Sequence, residues 1–160
     1  VLFGEDLFMD GEKTTGYRVI NDVKDYRADW DRLYACYAVF YKVEQTAEMR
    51  DRVWNWIGEG RINCLMALDG EGRPVGVAHI REFLRPLSAT VAGYLDDLFV
   101  DPNLRGSGVV DDLFAAARVL GRERGWSVIR WITREDNYRA RAVYDRLATR
   151  TNWVTYDLVP

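Results

Sequence analysis

The chain has few of the side chains that build metal centres and covalent cross-links: among 160 residues there are two cysteines and one histidine. Cys36 and Cys64 form no C-x-x-C pair and sit in apolar sequence, so buried reduced thiols are expected rather than a bridge or a zinc site. His79 has no clustered Cys, Asp or Glu around it. In a strand-like run beside Val75 and Val77 it reads as a structural side chain, and no metal site is expected. No apolar run approaches the ~20 residues that cross a bilayer and no leader pattern is visible, so a cytoplasmic address without a membrane partner is expected. A formal net charge of −3 supplies no basic face for a phosphate backbone, which argues against nucleic acid as a partner. Repeats, low-complexity tracts and internal linkers are also missing.

What is present suits one compact domain over residues 1–160, with 48% hydrophobic and 29% charged residues and enough length to bury a core without staples. Residues 1–16 carry Glu5, Asp6, Asp10 and Glu12 with little periodicity and read as a flexible arm. Tyr17 to Asn21 reads as a short strand. Asp22 is placed to cap a helix with Trp30, Leu33, Tyr34, Tyr37 and Tyr41 at helical spacing. A second helix follows Thr46, with Met49, Val53, Trp56 and Ile57 on one side, and ends near Gly58 or Gly60. Arg61 to Leu68 and Val75 to Glu82 pair as a hairpin across Asp69-Gly70-Glu71-Gly72-Arg73-Pro74, and Tyr94 to Val100 continues the sheet. A helix from Ser107 to Arg124 buries Val110, Leu113, Phe114, Ala117 and Leu120. Then follow a strand over Ser127 to Thr133, a helix over Asn137 to Ala148 with Ala140, Val143, Tyr144 and Leu147 inward, and a final strand over Trp153 to Leu158. This order predicts an α/β (α+β) domain, a mixed sheet with helices on both faces.

Chemistry concentrates in Tyr94 to Phe114, where a strand breaks into a glycine turn and restarts as an amphipathic helix. Gly106 and Gly108 let backbone N–H groups at a helix start approach an anion closely, and the helix dipole favours the negative charge. Arg105-Gly106-Ser107-Gly108-Val109-Val110 lacks the Gly-Lys-Ser/Thr ending of a Walker A loop, and G-x-G followed by Val109, Val110 and Asp111 is no dinucleotide fingerprint.

Val100-Asp101-Pro102-Asn103-Leu104-Arg105-Gly106-Ser107-Gly108 resembles the V-x-P-x-x-R-G-x-G signature of the GCN5-related N-acetyltransferases, whose loop binds the pyrophosphate of acetyl-coenzyme A. Asp136-Asn137-Tyr138-Arg139-Ala140-Arg141-Ala142-Val143-Tyr144 is similar to that family's second motif. The resemblance implies a mostly antiparallel mixed sheet flanked by helices, acetyl-coenzyme A as donor and an amine as acceptor. It places the pantetheine arm along the backbone of Leu98, Phe99 and Val100, and the pyrophosphate on Arg105, Gly106, Ser107, Gly108, Val109 and Val110. Asn137 either caps its helix or contacts pantetheine. Val110 departs from the family's Gly or Ala, which motivates a rival reading as a non-catalytic acyl-coenzyme A-binding module.

Transfer to an amine needs a neutral nitrogen, and a lysine-like amine lies about 3.4 pH units, or ~4.6 kcal/mol, from that state at pH 7. A carboxylate acting directly or through water relieves part of this cost. Asp96 and Asp97 precede the cradle, and strand alternation would point them to opposite faces. Tyr94-Leu95-Asp96-Asp97-Leu98-Phe99-Val100 resembles the Y-L-E-D-F-F-V strand of the spermidine/spermine acetyltransferase branch, which implies Asp96 as the base. The same resemblance makes Tyr144 the acid that protonates the departing thiolate. Both carry a structural alternative, a backbone or arginine partner for the aspartates and core packing for the ring. Tyr34, Tyr37, Tyr41, Trp54 and Trp56, with Glu44 and Glu48, read either as core or as an aromatic wall around an ammonium group. The tail from Tyr144 to Val154 resembles the Hpa2-like branch, which implies a polyamine, a histone lysine or a related amine as acceptor and a homodimer; among primary amines, other small amines and amino acids stay open.

Overall fold

The computed structural model describes residues 16–160; the arm expected over 1–16 lies outside them but for Gly16. Five strands and four α-helices alternate as β1 (Arg18–Ile20), α1 (Arg27–Tyr41), α2 (Ala47–Gly58), β2 (Asn63–Leu68), β3 (Pro74–Arg85), β4 (Thr90–Val100), α3 (Val109–Glu123), β5 (Ile129–Arg130) and α4 (Tyr138–Leu147). The strands lie in chain order in one sheet. The pairs from β1 to β4 are antiparallel, and β5 joins β4 in parallel through Gly93↔Ile129 and Tyr94↔Arg130.

Each sheet face carries its own core, because alternate residues of the buried strands serve opposite sides. On one face Leu65, Ala78, Ile80 and Leu95 pack with Val109, Leu113, Ala117 and Leu120 of α3, and Tyr144 and Leu147 of α4 border them. On the other, Met66, Leu68, Val77 and Phe99 pack with Trp30 and Leu33 of α1, bordered by Val53, Trp54 and Ile57 of α2. Each fully buried aliphatic side chain contributes ~1.5–3 kcal/mol.

Local signals account for the helix boundaries. Thr46 accepts the Met49 N–H and caps α2, and Asn137 accepts the Ala140 N–H and caps α4. Asp111 and Asp112 stand in the first turn of α3 and Arg122 in its last, matching the helix dipole. Asp22 does not cap α1: a 3-10 turn over Lys24–Tyr26 intervenes, and the N-cap residue is Tyr26, without a side-chain cap. Gly93 admits the Trp126 ring onto β4 beside β5, since a Cβ there would lie 2.5 Å from the ring.

Three further expectations are corrected. Cys36 is exposed on the outer side of α1, whereas Cys64 is buried; the inward stripe of α1 is taken by Trp30, Leu33 and Ala38. The strand expected over Ser127–Thr133 shrinks to Ile129–Arg130, and none forms over Trp153–Leu158. A strand needs a neighbouring strand to satisfy its amides, and residues 149–160 instead run exposed without regular structure.

Candidate active site

The site is organised by an irregularity in β4. His79 pairs with Asp97 and Ile80 pairs with Leu95, so Asp96 is an extra residue without a partner on β3. Such a bulge breaks the two-residue alternation and re-aims the side chains around it. Asp96 and Asp97 therefore do not split between the faces as alternation requires: Asp97 bonds His79 and Asp96 bonds Arg81, two positions further along the same side of β3. Beyond Tyr94 no strand among the described residues pairs with β4 on its β5 side. The backbone of Leu98, Phe99 and Val100 thus borders a gap between β4 and β5.

The glycine turn opens α3 at the end of this gap. Gly106 and Gly108 have φ of +83° and +96°, the left-handed region that glycine enters without strain. The first α3 bond runs from Asp112 N to Gly108 O, so the amides of Val109, Val110 and Asp111 find no carbonyl within the helix. Nothing lies within 4 Å of a Cβ built on Gly106. Open space beside unpaired amides at a helix start is the arrangement that a pyrophosphate fits. Val109 is buried in the α3 core and Val110 packs against it. Ser107 Oγ donates to Leu104 O, and the Arg105 guanidinium lies 5.2 Å from the Phe40 ring at the end of α1.

Asp96 is tied to Arg81 (Nε to Oδ2, 3.0 Å). Burial lifts its carboxyl above the usual carboxylate range, although Arg81 pulls it down. Tyr144 stands edge-on to Trp131 and Phe114, with centroids 5.4 and 5.9 Å away. Burial, with Tyr41 adding to it, pushes its phenol up to about 12. Tyr37 is raised by burial first, then by Asp97, Tyr41, Tyr34 and Tyr144. Asn137 divides its side chain between the Ala140 N–H and Thr133 Oγ1.

The aromatic wall expected from α1 and α2 divides. Tyr34, Tyr37 and Tyr41 form a row, with centroids 6.1 and 4.8 Å apart. Trp54 packs at a tilt against Trp30, and Arg61 covers Trp56. Glu48 stands in the first turn of α2 and Glu44 is exposed. Sequence reasoning left His79 as a structural residue without a named partner, yet it bonds Asp97 (Nδ1 to Oδ2, 2.9 Å) and accepts from Trp30 Nε1 at 2.8 Å. Only the hairpin register reveals that contact. Among the described residues no group of His, Cys, Asp and Glu is arranged to hold a metal ion, and no helix is long and apolar enough to cross a membrane.

Comparison with known proteins agrees with this architecture. Residues 30–148 match the acetyltransferase (GNAT) family. The chain is 27% identical over 136 residues to the D-amino-acid N-acetyltransferase HPA3 of Saccharomyces cerevisiae, covering 83% of this chain and 84% of that protein. Its fold resembles the crystal structure of a probable acetyltransferase, with a TM-score of 0.82 at 24% identity over 89% of this chain and 97% of that one. It also resembles the ribosomal-protein-alanine N-acetyltransferase of Brucella melitensis biovar Abortus 2308, with a TM-score of 0.73 at 20% identity over 89% and 96% of the two chains. The family match over most of the chain, on a fold that carries the glycine turn and the split between β4 and β5, makes this protein a member of the GNAT family and an N-acetyltransferase.

Proposed function

We propose that this protein moves an acetyl group from acetyl-coenzyme A, the donor of its family, to a primary amine by direct attack in a ternary complex. The observation that carries this is the open glycine turn at the start of α3, whose first amides find no carbonyl within the helix, following directly on the strand that carries the Asp96 bulge; Tyr144 borders the core of the same helix. Residues Arg105 to Val110 would hold the pyrophosphate, the backbone of Leu98, Phe99 and Val100 the pantetheine arm, and Asn137 the start of α4 beside it. The packing of Val110 against the core keeps its side chain from crowding the anion. That favours an enzyme over a retired binding module.

When bound, the donor supplies an activated thioester carbonyl. Asp96, whose carboxyl is raised by burial, accepts the proton of the acceptor nitrogen directly or through water as the new C–N bond forms. The C–S bond breaks and the thiolate takes a proton from Tyr144. No acyl-enzyme is invoked, since Cys64 is buried and Cys36 lies on the outer side of α1. The HPA3 relative is named for D-amino acids, so these belong in the acceptor screen beside polyamines, other amino acids and lysine peptides. Calorimetry with acetyl-coenzyme A followed by that screen tests the reading. Binding without turnover of any amine would leave only an acyl-coenzyme A-binding module.

A homodimer is supported by a separate observation. Trp153, Val154, Tyr156, Leu158 and Val159 are all more than two-thirds exposed. Beside β5, a groove of about 270 Å³ is lined by apolar residues including Trp126, Ile129, Trp131 and Leu147. Residues 151–160 of a second copy would cover this groove. Free thiols suit the cytoplasm as its place of work.

A further inference from the structure

Trp30, His79, Asp97 and Tyr34 form one hydrogen-bonded chain leading from the core to the cleft. The Trp30 indole donates to His79 Nε2 at 2.8 Å, His79 Nδ1 meets Asp97 Oδ2 at 2.9 Å, and the Tyr34 hydroxyl donates to the same Oδ2 at 3.1 Å. Trp30 and His79 are sealed, at 0% and 1% exposure, while the Asp97 side chain keeps 23%. Among the described residues Asp97 Oδ1 has no hydrogen-bond partner. Two donors are thus spent on one oxygen while the other is left without a partner on a side chain that solvent reaches.

The protonation of His79 follows from its contacts. Burial opposes a charged ring, while Asp97 and Cys64 pull its pKa up, to about 10. Against that pull stands the Trp30 N–H, which needs the Nε2 lone pair. A second ring proton would meet it head-on, so these contacts hold the neutral ring with its proton on Nδ1, directed at Asp97. Asp97 then presents its carboxylate at the Tyr34 end of the Tyr34, Tyr37 and Tyr41 row. A carboxylate beside aromatic faces suits a cation.

We propose that Asp97 Oδ1 anchors a positively charged group of the acceptor that keeps its charge through the reaction, and that His79, backed by Trp30, is the positioning residue that fixes this carboxylate. The proposal rests on the acetyltransferase reading for the identity of that cation. The acceptor would then carry an ammonium besides its reacting amine. Asp97 sets which acceptors bind, while Asp96 handles the proton.

Because His79 is the only histidine, its ring nitrogen resonances report on the chain without ambiguity. Titration of the full protein with methylammonium chloride, against sodium chloride at equal ionic strength, should shift the His79 signals saturably with the ammonium salt alone. Asp97→Asn should raise the half-saturating concentration about 10-fold or more, as expected for losing one charge-assisted hydrogen bond. Tyr34→Phe, which keeps the carboxylate, should raise it less. Trp30→Phe frees Nε2. The ring, facing Asp97 and Asp96 of β4, Cys64 of β2 and Tyr34 of α1, should then gain a proton near neutral pH, and methylammonium binding should weaken as pH falls, which a merely structural role would not produce. Equal shifts with both salts, or binding unchanged in Asp97→Asn, would overturn the proposal. Calorimetry with acetyl-coenzyme A on the same samples separates the two readings: methylammonium binding without donor binding sinks the transferase reading and leaves this site, and the converse sinks this site alone.

Discussion

Arg81 reaches across the β4 bulge to Asp96, its Nε 3.0 Å from Oδ2. Both side chains are partly exposed, so the pair adds only ~0.2–1 kcal/mol to the fold. Its consequence lies in proton affinity. Arg81 lowers an Asp96 carboxyl that burial raises; Arg81→Met should therefore raise it further. Activity requires the ionised carboxylate, so the acidic limb of the kcat/KM profile should move to higher pH. Asp96→Asn should carry that limb toward the pKa of the amine itself and lower kcat/KM by ~10²–10⁴. Profiles that overlay the wild type would remove Asp96 as the base.

Tyr144→Phe keeps the ring against Trp131 and Phe114 and removes only the hydroxyl. Turnover should fall by ~10²–10⁴ while calorimetric affinity for acetyl-coenzyme A stays within a few-fold. With its phenol pushed up to about 12, Tyr144 keeps its proton at all ordinary assay pH, so an alkaline limb near pH 9 should persist unchanged in the variant if one is present in the wild type. Wild-type turnover in Tyr144→Phe would exclude it as the acid.

Gly108→Ala places a Cβ on a residue with φ of +96° at the start of α3. The strain costs ~1–2 kcal/mol, and tilting the first helical amides should weaken acetyl-coenzyme A binding beyond any loss of melting temperature. Equal affinity by calorimetry would separate the cradle from donor binding.

Gly93→Ala tests the fold at the β4–β5 junction. Its Cβ would lie 2.5 Å from Trp126 Cε3, and the ring must leave β4 or the strands must shift, a cost of ~1–3 kcal/mol readable by chemical denaturation. An unchanged midpoint would mean that the Trp126 ring yields freely.

Removal of residues 151–160 should convert a dimer into a monomer in light scattering, while the monomer retains its acetyl-coenzyme A affinity. An unchanged mass would assign the association to another surface.

Much of the architecture was legible because it is local. The α3 stripe, the Thr46 and Asn137 caps and the Gly106 and Gly108 turn depend on residues within a few positions of one another, where helical period, capping chemistry and backbone freedom act directly. The short β5 and the missing strand over Trp153–Leu158 were not legible. Both segments have strand-like composition, and composition does not say whether a neighbouring edge is within reach to satisfy the amides.

The amino-acid sequence by itself determined the helices, the hairpin, the glycine cradle and, through its motifs, the family. Only the tertiary structure decided what the two aspartates face. The bulge at Asp96 cancels the alternation that would have separated it from Asp97, and the pairing of His79 with Asp97 joins a lone histidine to Trp30 and Tyr34 of a helix far away in the chain. Strand register is a non-local choice, settled by the packing of both sheet faces at once, and a slip of one residue reverses which side chains meet.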